Sequence, residues 1–393
     1  MGPDPRLSFA AVIFHFDFRM WARMLRLAWR DPHPAGRRRM LTRLLVFVPG
    51  VASFHAVCFF LDGILFPELH RVQVRAPVFL VGHARSGTTL LHRLISRDGD
   101  RFSSFMLYEL YFPSLLQKKG IRALAAFDRR VLGGVFERQV QAWEKRRYGA
   151  TQDIHAMGLT QLEEDDFLFY WSCASGTWML KLPAMGEIDF YHLDDRWSER
   201  RRRRLQRFYA DCIRRELYLN GADRIHLCKA PHFAGRVASL IESFPDARIV
   251  VTMRSPYETI PSLLKLMKLN YQLRGWDEAR AARSLAVLAE QSFHTYKHPL
   301  EVLAKHPETK HAIMDYRELV AEPKRALNAV YEALGIPLTP GFAAVLDEEQ
   351  KRALEHESSH RYSLAEFGLD KNQIEQELAE LFERYHWSNG HGS

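Results

Sequence analysis

Apolar residues recur along the chain in two different textures, and the change falls near Pro77. Beyond it, short runs with strand character at 78–81 (VFLV), 225–228 (IHLC), 248–253 (RIVVTM) and 311–315 (HAIMD) alternate with longer stretches of helical spacing. Those stretches lie near 88–97, 198–219, 233–243, 256–269, 278–304 and 323–334. Near-continuous apolar strands alternating with amphipathic helices predict a parallel sheet covered by helices. The fold class expected is therefore α/β, an open sheet whose ligands bind beyond the carboxyl ends of the strands.

Residues 1–75 read differently, as helices rich in Phe, Trp and Arg that end at Phe66-Pro67. They predict an N-terminal helical extension ahead of a catalytic domain over 76–386. An aromatic-rich segment of about 110–200 fits the alternation poorly and reads as a helical insertion, either an acceptor pocket or a structural one. Residues 44–61, LLVFVPGVASFHAVCFFL, are almost uncharged and follow Arg37, Arg38, Arg39 and Arg43. Their length barely reaches a spanning helix, and Pro49-Gly50 and His55 interrupt them. The expectation is a helical hairpin that packs on the catalytic domain or touches a membrane surface through 41–66, with a true span over 44–61 as the remaining alternative.

Composition narrows this little. The 393 residues are 47% hydrophobic and 26% charged, as in ordinary globular proteins. A net charge of +8 favours anionic partners without choosing among lipid, nucleotide and nucleic acid; a nucleic-acid partner is not expected. Arg200 to Arg204 precede Leu205, Phe208, Tyr209 and Cys212 at helical spacing, with Ser198 as a candidate N-cap, and read as a solvated helix face or an anion patch. Glu163, Glu164, Asp165 and Asp166 stand before a run of aromatics and suit the first turn of a buried helix better than a metal site. Cys58, Cys173, Cys212 and Cys228 are scattered with no CxxC pair, which suits reduced, buried thiols in a cytoplasmic protein. The first residues lack the basic-then-apolar order of a cleavable signal.

The strongest local signal is Val78-Phe-Leu-Val-Gly82-His-Ala-Arg85-Ser86-Gly87-Thr88-Thr89-Leu90-Leu91, a buried strand, a glycine-bounded loop and an amphipathic helix. Gly82 and Gly87 have the G-x-x-x-x-G spacing of a loop whose backbone N–H groups converge on phosphate at a helix N-terminus. A nucleotide triphosphatase or kinase would continue with Lys-Ser/Thr, to reach the outer phosphates and hold magnesium. Here Thr88-Thr89 follow, and the positive charge sits inside the loop at Arg85. The strand over 248–253 ends in Met253-Arg254, where such enzymes carry a metal-binding Asp. Cation replaces anion, which argues against magnesium.

These residues resemble the 5'-phosphosulfate loop of sulfotransferases that use 3'-phosphoadenosine 5'-phosphosulfate (PAPS), especially the bacterial and tyrosylprotein branch with Arg-Ser-Gly-Thr-Thr. Leu227-Cys-Lys229-Ala-Pro231-His232 is similar to the family's Lys-x-Pro element, and Phe244 through Pro256 with Ser262 to its 3'-phosphate strand, loop and helix. Asp315-Tyr316-Arg317 and His360-Arg361-Tyr362 extend the likeness over roughly 76–386.

The resemblance implies PAPS as co-substrate and no metal in the reaction. It implies that Arg85, Ser86, Gly87, Thr88 and Thr89 hold the 5'-phosphate, that Arg254 and Ser262 bind the 3'-phosphate, and that Tyr316 and Arg361 lie near the nucleotide. Lys229 would neutralise the leaving oxygen. For the base, Glu109 matches the position used by tyrosylprotein and heparan enzymes and His232 that of cytosolic small-molecule enzymes, with His155 or Glu163 as further options. The aromatic content between 102 and 178 hints at a hydrophobic or lipid-like alcohol as acceptor. The competing readings are a P-loop kinase or NTPase, and a nucleotide-binding membrane protein without catalysis.

Overall fold

The structure is a computed structural model that describes residues 14–99, 101–148, 158–182, 187–354 and 364–387. In chain order the elements that matter here are α1 (Phe18–Trp29), α2 (Pro34–Thr42), α3 (Val48–Leu65), β1 (Val78–Gly82), α4 (Thr88–Ile95) and β2 (Phe102–Ser103). They continue with α5 (Leu107–Tyr111), α6 (Leu115–Val131), α7 (Val135–Tyr148), α8 (Leu193–Arg196), α9 (Glu199–Asn220) and β3 (Ile225–Lys229). Next come α10 (Val237–Ser243), β4 (Arg248–Met253), α11 (Pro256–Gln272), α12 (Glu278–Lys305), β5 (His311–Asp315), α13 (Tyr316–Ala321) and α14 (Pro323–Ala333). The chain forms two compact units: one from the residues up to Val74 with Phe105–Ser175 and Arg203–Asp223, the other from Arg75–Ser104, Gly176–Arg202 and the chain beyond Arg224.

The second unit contains the sheet, in the order β2-β3-β1-β4-β5, with every pairing parallel. β1 is central and buried along its whole length, because both of its neighbours and the helices on its faces exclude water. Val78, Leu80, Leu91, Leu227, Val250 and Leu327 belong to one continuous core cluster beneath it. The four strands expected from the sequence are present. β2 is an addition, a two-residue edge strand too short to show a period. The helix expected over 233–243 opens as a 3-10 turn over Pro231–Arg236.

The first unit is helical. Its main element corrects the hairpin expectation: Pro34–Leu65 forms one uninterrupted helical rod of 32 residues. Pro49 has no N–H and its ring crowds the carbonyl one turn back, and the rod absorbs this with a π-helical turn at Arg43–Phe47 instead of breaking. One face of α3 is buried and includes Val48, Ala52, His55, Phe59 and Asp62. The opposite face exposes Leu45, Phe47, Phe54, Val57, Phe60 and Ile64. Further exposed apolar side chains in this unit include Leu124, Phe127, Val131 and Phe136 on α6 and α7.

Asp62 organises the buried face. Its carboxylate accepts hydrogen bonds from Ser114 Oγ (2.9 Å) and from the backbone N–H groups of Leu115 (2.9 Å) and Leu116 (2.7 Å), closing the N-terminus of α6. It also pairs with Arg215 Nε at 2.7 Å, and both side chains are buried. His55 pairs with Gln117 on the same interface, and burial lowers its pKa to about 4.

The acidic run begins a 3-10 turn over Asp165–Phe169 where an α-helix was expected. Its carboxylates serve as buried acceptors, Asp165 for the Tyr209 hydroxyl (2.5 Å) and Asp166 for Ser175 (2.7 Å). Arg200, Arg203 and Arg204 are exposed, as a solvated face requires. Arg201 lies over the Trp197 ring at 3.2 Å, and Arg202 pairs with Asp194 at 3.3 Å. All four cysteines are buried free thiols.

Replacing Asp62 with Ala leaves the buried Arg215 guanidinium with Asp211 as its counter-ion and removes the acceptor for the Leu115 and Leu116 N–H groups at the start of α6. Removing one partner of a buried pair costs about 3–5 kcal/mol, so Asp62→Ala should lower the urea midpoint strongly. Exposed Glu68→Ala should leave it nearly unchanged.

Candidate functional site

The site in the second unit grows from the end of β1. Gly82 (φ +137°), Arg85 (φ +74°) and Gly87 (φ +97°) all adopt left-handed backbone conformations, which fold 82–88 into a tight loop that delivers the chain to α4. A Cβ at Gly82 would lie 2.6 Å from the Thr252 carbonyl oxygen, and one at Gly87 would lie 2.3 Å from the Tyr316 ring. Both glycines are therefore required by close approach as well as by φ. Arg85 is a non-glycine residue in the left-handed region, a strain of order 1–3 kcal/mol.

Buried partners hold the loop. Ser86 Oγ donates to the His83 carbonyl (2.6 Å) and meets Thr252 Oγ1 at 2.5 Å. His83 stacks on Tyr296 with centroids 5.0 Å apart, and the Tyr296 hydroxyl donates to the Arg254 carbonyl (2.8 Å). Thr88 starts α4, so the loop amides and the positive end of the helix dipole face the same space.

The parallel register brings the other predicted residues to this edge. Leu80 is opposite Lys229 and Gly82 opposite Thr252, so Lys229 closes β3 and Arg254 follows β4 beside the loop. Arg85 Nε donates to Ser262 Oγ on α11 at 3.1 Å, and Arg254 reaches back toward the Arg85 carbonyl at 3.5 Å. The Arg254 guanidinium lies 4.2 Å from the centroid of Tyr316 and pairs with Glu258 through Nε at 2.9 Å. Thus Arg85, Ser86, Gly87, Thr88, Arg254, Ser262 and Tyr316 come together, with Thr89 on the first turn of α4. Lys229 is almost wholly buried. His232 is half-buried, its ring 5.4 Å from Tyr191, and it lines a small cavity with His83, Ala84 and Pro231.

Glu109 belongs to the first unit. It is fully buried there and accepts from Met106 N–H (3.0 Å), Arg122 (3.1 Å) and the Tyr108 hydroxyl (3.2 Å). Glu163 is buried in the same unit. Arg361 and His155 lie outside the described residues.

Sequence reasoning missed the supports. Thr252 and Tyr296 clamp the loop. His92 sits beside Lys229 with Nε2 3.0 Å from Ser104 Oγ. Burial first, then the Lys229 charge, pushes the His92 pKa to about 3. Burial takes His83 to about 4, against the opposing hydrogen bond to the Ala84 carbonyl. His92 falls on the inner face of α4 at helical spacing from Thr88 and Leu91, a signal that could have been read.

A phosphate-type loop on the central strand, with cations closing two neighbouring parallel strands and no lysine after the second glycine, defines a P-loop-type α/β group-transfer fold distinct from the NTPases. More specifically, the chain belongs to the sulfotransferase family, whose model matches residues 77–340. It is 25% identical over 270 residues to the omega-hydroxy-beta-dihydromenaquinone-9 sulfotransferases Stf3 of Mycobacterium bovis and Mycobacterium tuberculosis, covering 66% of this chain. The match spans 63% of the length of those relatives. Sulfotransferase STF9 of Mycobacterium avium has the same fold, with TM-score 0.67 at 19% identity over 95% of this chain and 93% of its own. So has STF1 of Mycobacterium tuberculosis, with TM-score 0.63 at 20% identity over 92% of each.

The two buried histidines set an acid limit. Their folded pKa values lie below the ordinary 6.5, so their contribution to stability is whole above that pH and is lost as pH falls toward 3–4. Each should add up to about 1.4 kcal/mol per pH unit to the slope of unfolding free energy in that window. Urea titrations between pH 7 and 4 should show it, and His92→Gln should flatten the slope by one histidine's share.

Proposed function

We propose that the protein moves a sulfuryl group from PAPS to an acceptor hydroxyl without a metal in the reaction. The observation that carries this is the convergence of Arg85, Arg254 and Ser262 around the loop, with Lys229 closing the adjacent strand. Together they supply fixed positive charge where an NTPase would rely on a lysine and magnesium.

In this reading the loop amides from Ser86 to Thr89, with Arg85, hold the 5'-phosphate. Arg254 and Ser262 take the 3'-phosphate, and Tyr316, wedged between Gly87 and Arg254, braces the nucleotide end of the site. The acceptor oxygen attacks sulfur in line as the bond from sulfur to the 5'-phosphate oxygen breaks, leaving a sulfate ester and adenosine 3',5'-bisphosphate. Charge builds on that leaving oxygen, and a buried ammonium at Lys229 is suited to stabilise it. The acceptor proton passes to a base. Glu109 is one candidate, with its carboxylate already shared among three donors. His232 is the other, favoured by the cavity it shares with loop residues His83 and Ala84.

For the acceptor we infer a hydrophobic, lipid-like alcohol, the chemistry that the names of the Stf3 relatives describe for those enzymes. The exposed apolar face of Pro34–Leu65 next to exposed Arg37, Arg38 and Arg39 supports a peripheral contact through 41–66 with an anionic membrane surface. Each such arginine contributes about 1 kcal/mol near anionic headgroups. A cytoplasmic enzyme would meet a lipid acceptor at that surface.

Calorimetry should give tighter binding of adenosine 3',5'-bisphosphate than of ATP with magnesium; the reverse order would sink the assignment. Arg254→Ala should weaken the bisphosphate roughly tenfold or more while sparing 5'-AMP. Lys229→Ala should lower kcat by about 100-fold or more with little change in bisphosphate affinity. Comparing pH–rate profiles of Glu109→Gln and His232→Asn identifies the base, as only its loss removes the lower limb.

A further inference from the structure

We propose that Asp195, His294 and His298 form a binding site for a transition-metal ion, separate from the residues assigned to sulfuryl transfer. His294 and His298 are four residues apart on α12, so they project from one face on successive turns. Asp195 comes from the short helix α8, which packs against them. One donor atom from each residue can be chosen so that all three lie within 4.8 Å of one another.

The distances suit a shared ion better than direct contacts. His294 Nε2 lies 3.6 Å from Asp195 Oδ2, beyond hydrogen-bonding range. Two donors each about 2.0–2.1 Å from a tetrahedral ion are separated by about 3.4 Å, close to that value. His294 Nε2 is also buried and makes no hydrogen bond, which is unusual for a polar atom that has left water.

The surroundings have the form of a metal site's supporting shell. His298 Nε2 is 3.0 Å from Asp194 Oδ2. Asp194 is itself fixed by the Ala238 and Ser239 N–H groups and by Arg202. A carboxylate that takes the N–H of one ring nitrogen leaves the other with its lone pair, the usual second partner of a metal-bound histidine. The His294 ring is held between His192 (centroids 4.0 Å) and His298 (4.7 Å). His192 is anchored in turn by Asp189 at 2.8 Å.

Two imidazoles and one carboxylate, the last half exposed, leave a coordination position open to water. That donor set suits Zn²⁺, Co²⁺, Ni²⁺ or Cu²⁺ over Mg²⁺ or Ca²⁺. The ion would clip the 189–196 segment to α12. This segment carries Tyr191, whose ring faces His232 and whose carbonyl packs so closely on Gly235 that a Cβ there would lie 1.6 Å away. Metal occupancy would thus stabilise the wall beside His232 without entering the displacement.

The full chain, stripped with a chelator and titrated with Co²⁺, should bind at micromolar concentration or below and develop the visible bands of a four- or five-coordinate ion. Zn²⁺ should displace it and raise the unfolding temperature, whereas Mg²⁺ should do neither. His294→Ala, His298→Ala and Asp195→Asn should each weaken Co²⁺ by about 10–100-fold or more. Folding of each variant is verified by unchanged binding of adenosine 3',5'-bisphosphate. No visible bands with the unmutated protein, or bands that persist undiminished in a folded His294→Ala or Asp195→Asn variant, would overturn the site.

Discussion

Everything at the candidate site depends on β1 lying between β3 and β4 in parallel register. Parallel strands present all their carboxyl ends on one edge, so residues from three distant stretches of sequence emerge side by side. Leu80 opposite Lys229 and Gly82 opposite Thr252 put an ammonium, a guanidinium and the loop's own arginine on that edge. One-residue slippage of β3 would turn the Lys229 side chain to the other face of the sheet. The core that fixes the register, Val78 and Leu80 against Leu227 and Val250, is therefore also what places the charges.

That arrangement was largely legible because continuous apolar runs between turns are what buried parallel strands must look like. The loop was legible for a related reason: glycines at 82 and 87 are demanded by φ and by contact with Thr252 and Tyr316. Other features were not local. β2 has only Phe102 and Ser103, and the continuity of the rod across Pro49 depends on a π turn that no spacing announces. The use of Asp165 and Asp166 as buried acceptors depends on Tyr209 and Ser175. The Tyr316 ring, between Gly87 and Arg254, meets a glycine more than two hundred positions earlier in the chain, and no periodicity encodes it.

The two units divide the chemistry unevenly. The sheet unit concentrates fixed cations and buried neutral histidines, which tolerate one another because His83 and His92 do not charge at neutral pH. The helical unit carries Glu109 and most of the large apolar side chains that face outward, from Leu45 to Trp143.

Asp62 gives the apolar rod a mechanical meaning. The carboxylate that closes α6 and neutralises Arg215 on α9 sits near the carboxyl end of the same helix whose outer face carries Phe47, Phe54 and Phe60. Such a helix is not a detachable anchor. A shortened chain begun after Leu65 would lose a structural cap and a counter-ion along with its greasy surface. Conversely, whatever tugs on that surface pulls directly on α6 and α9.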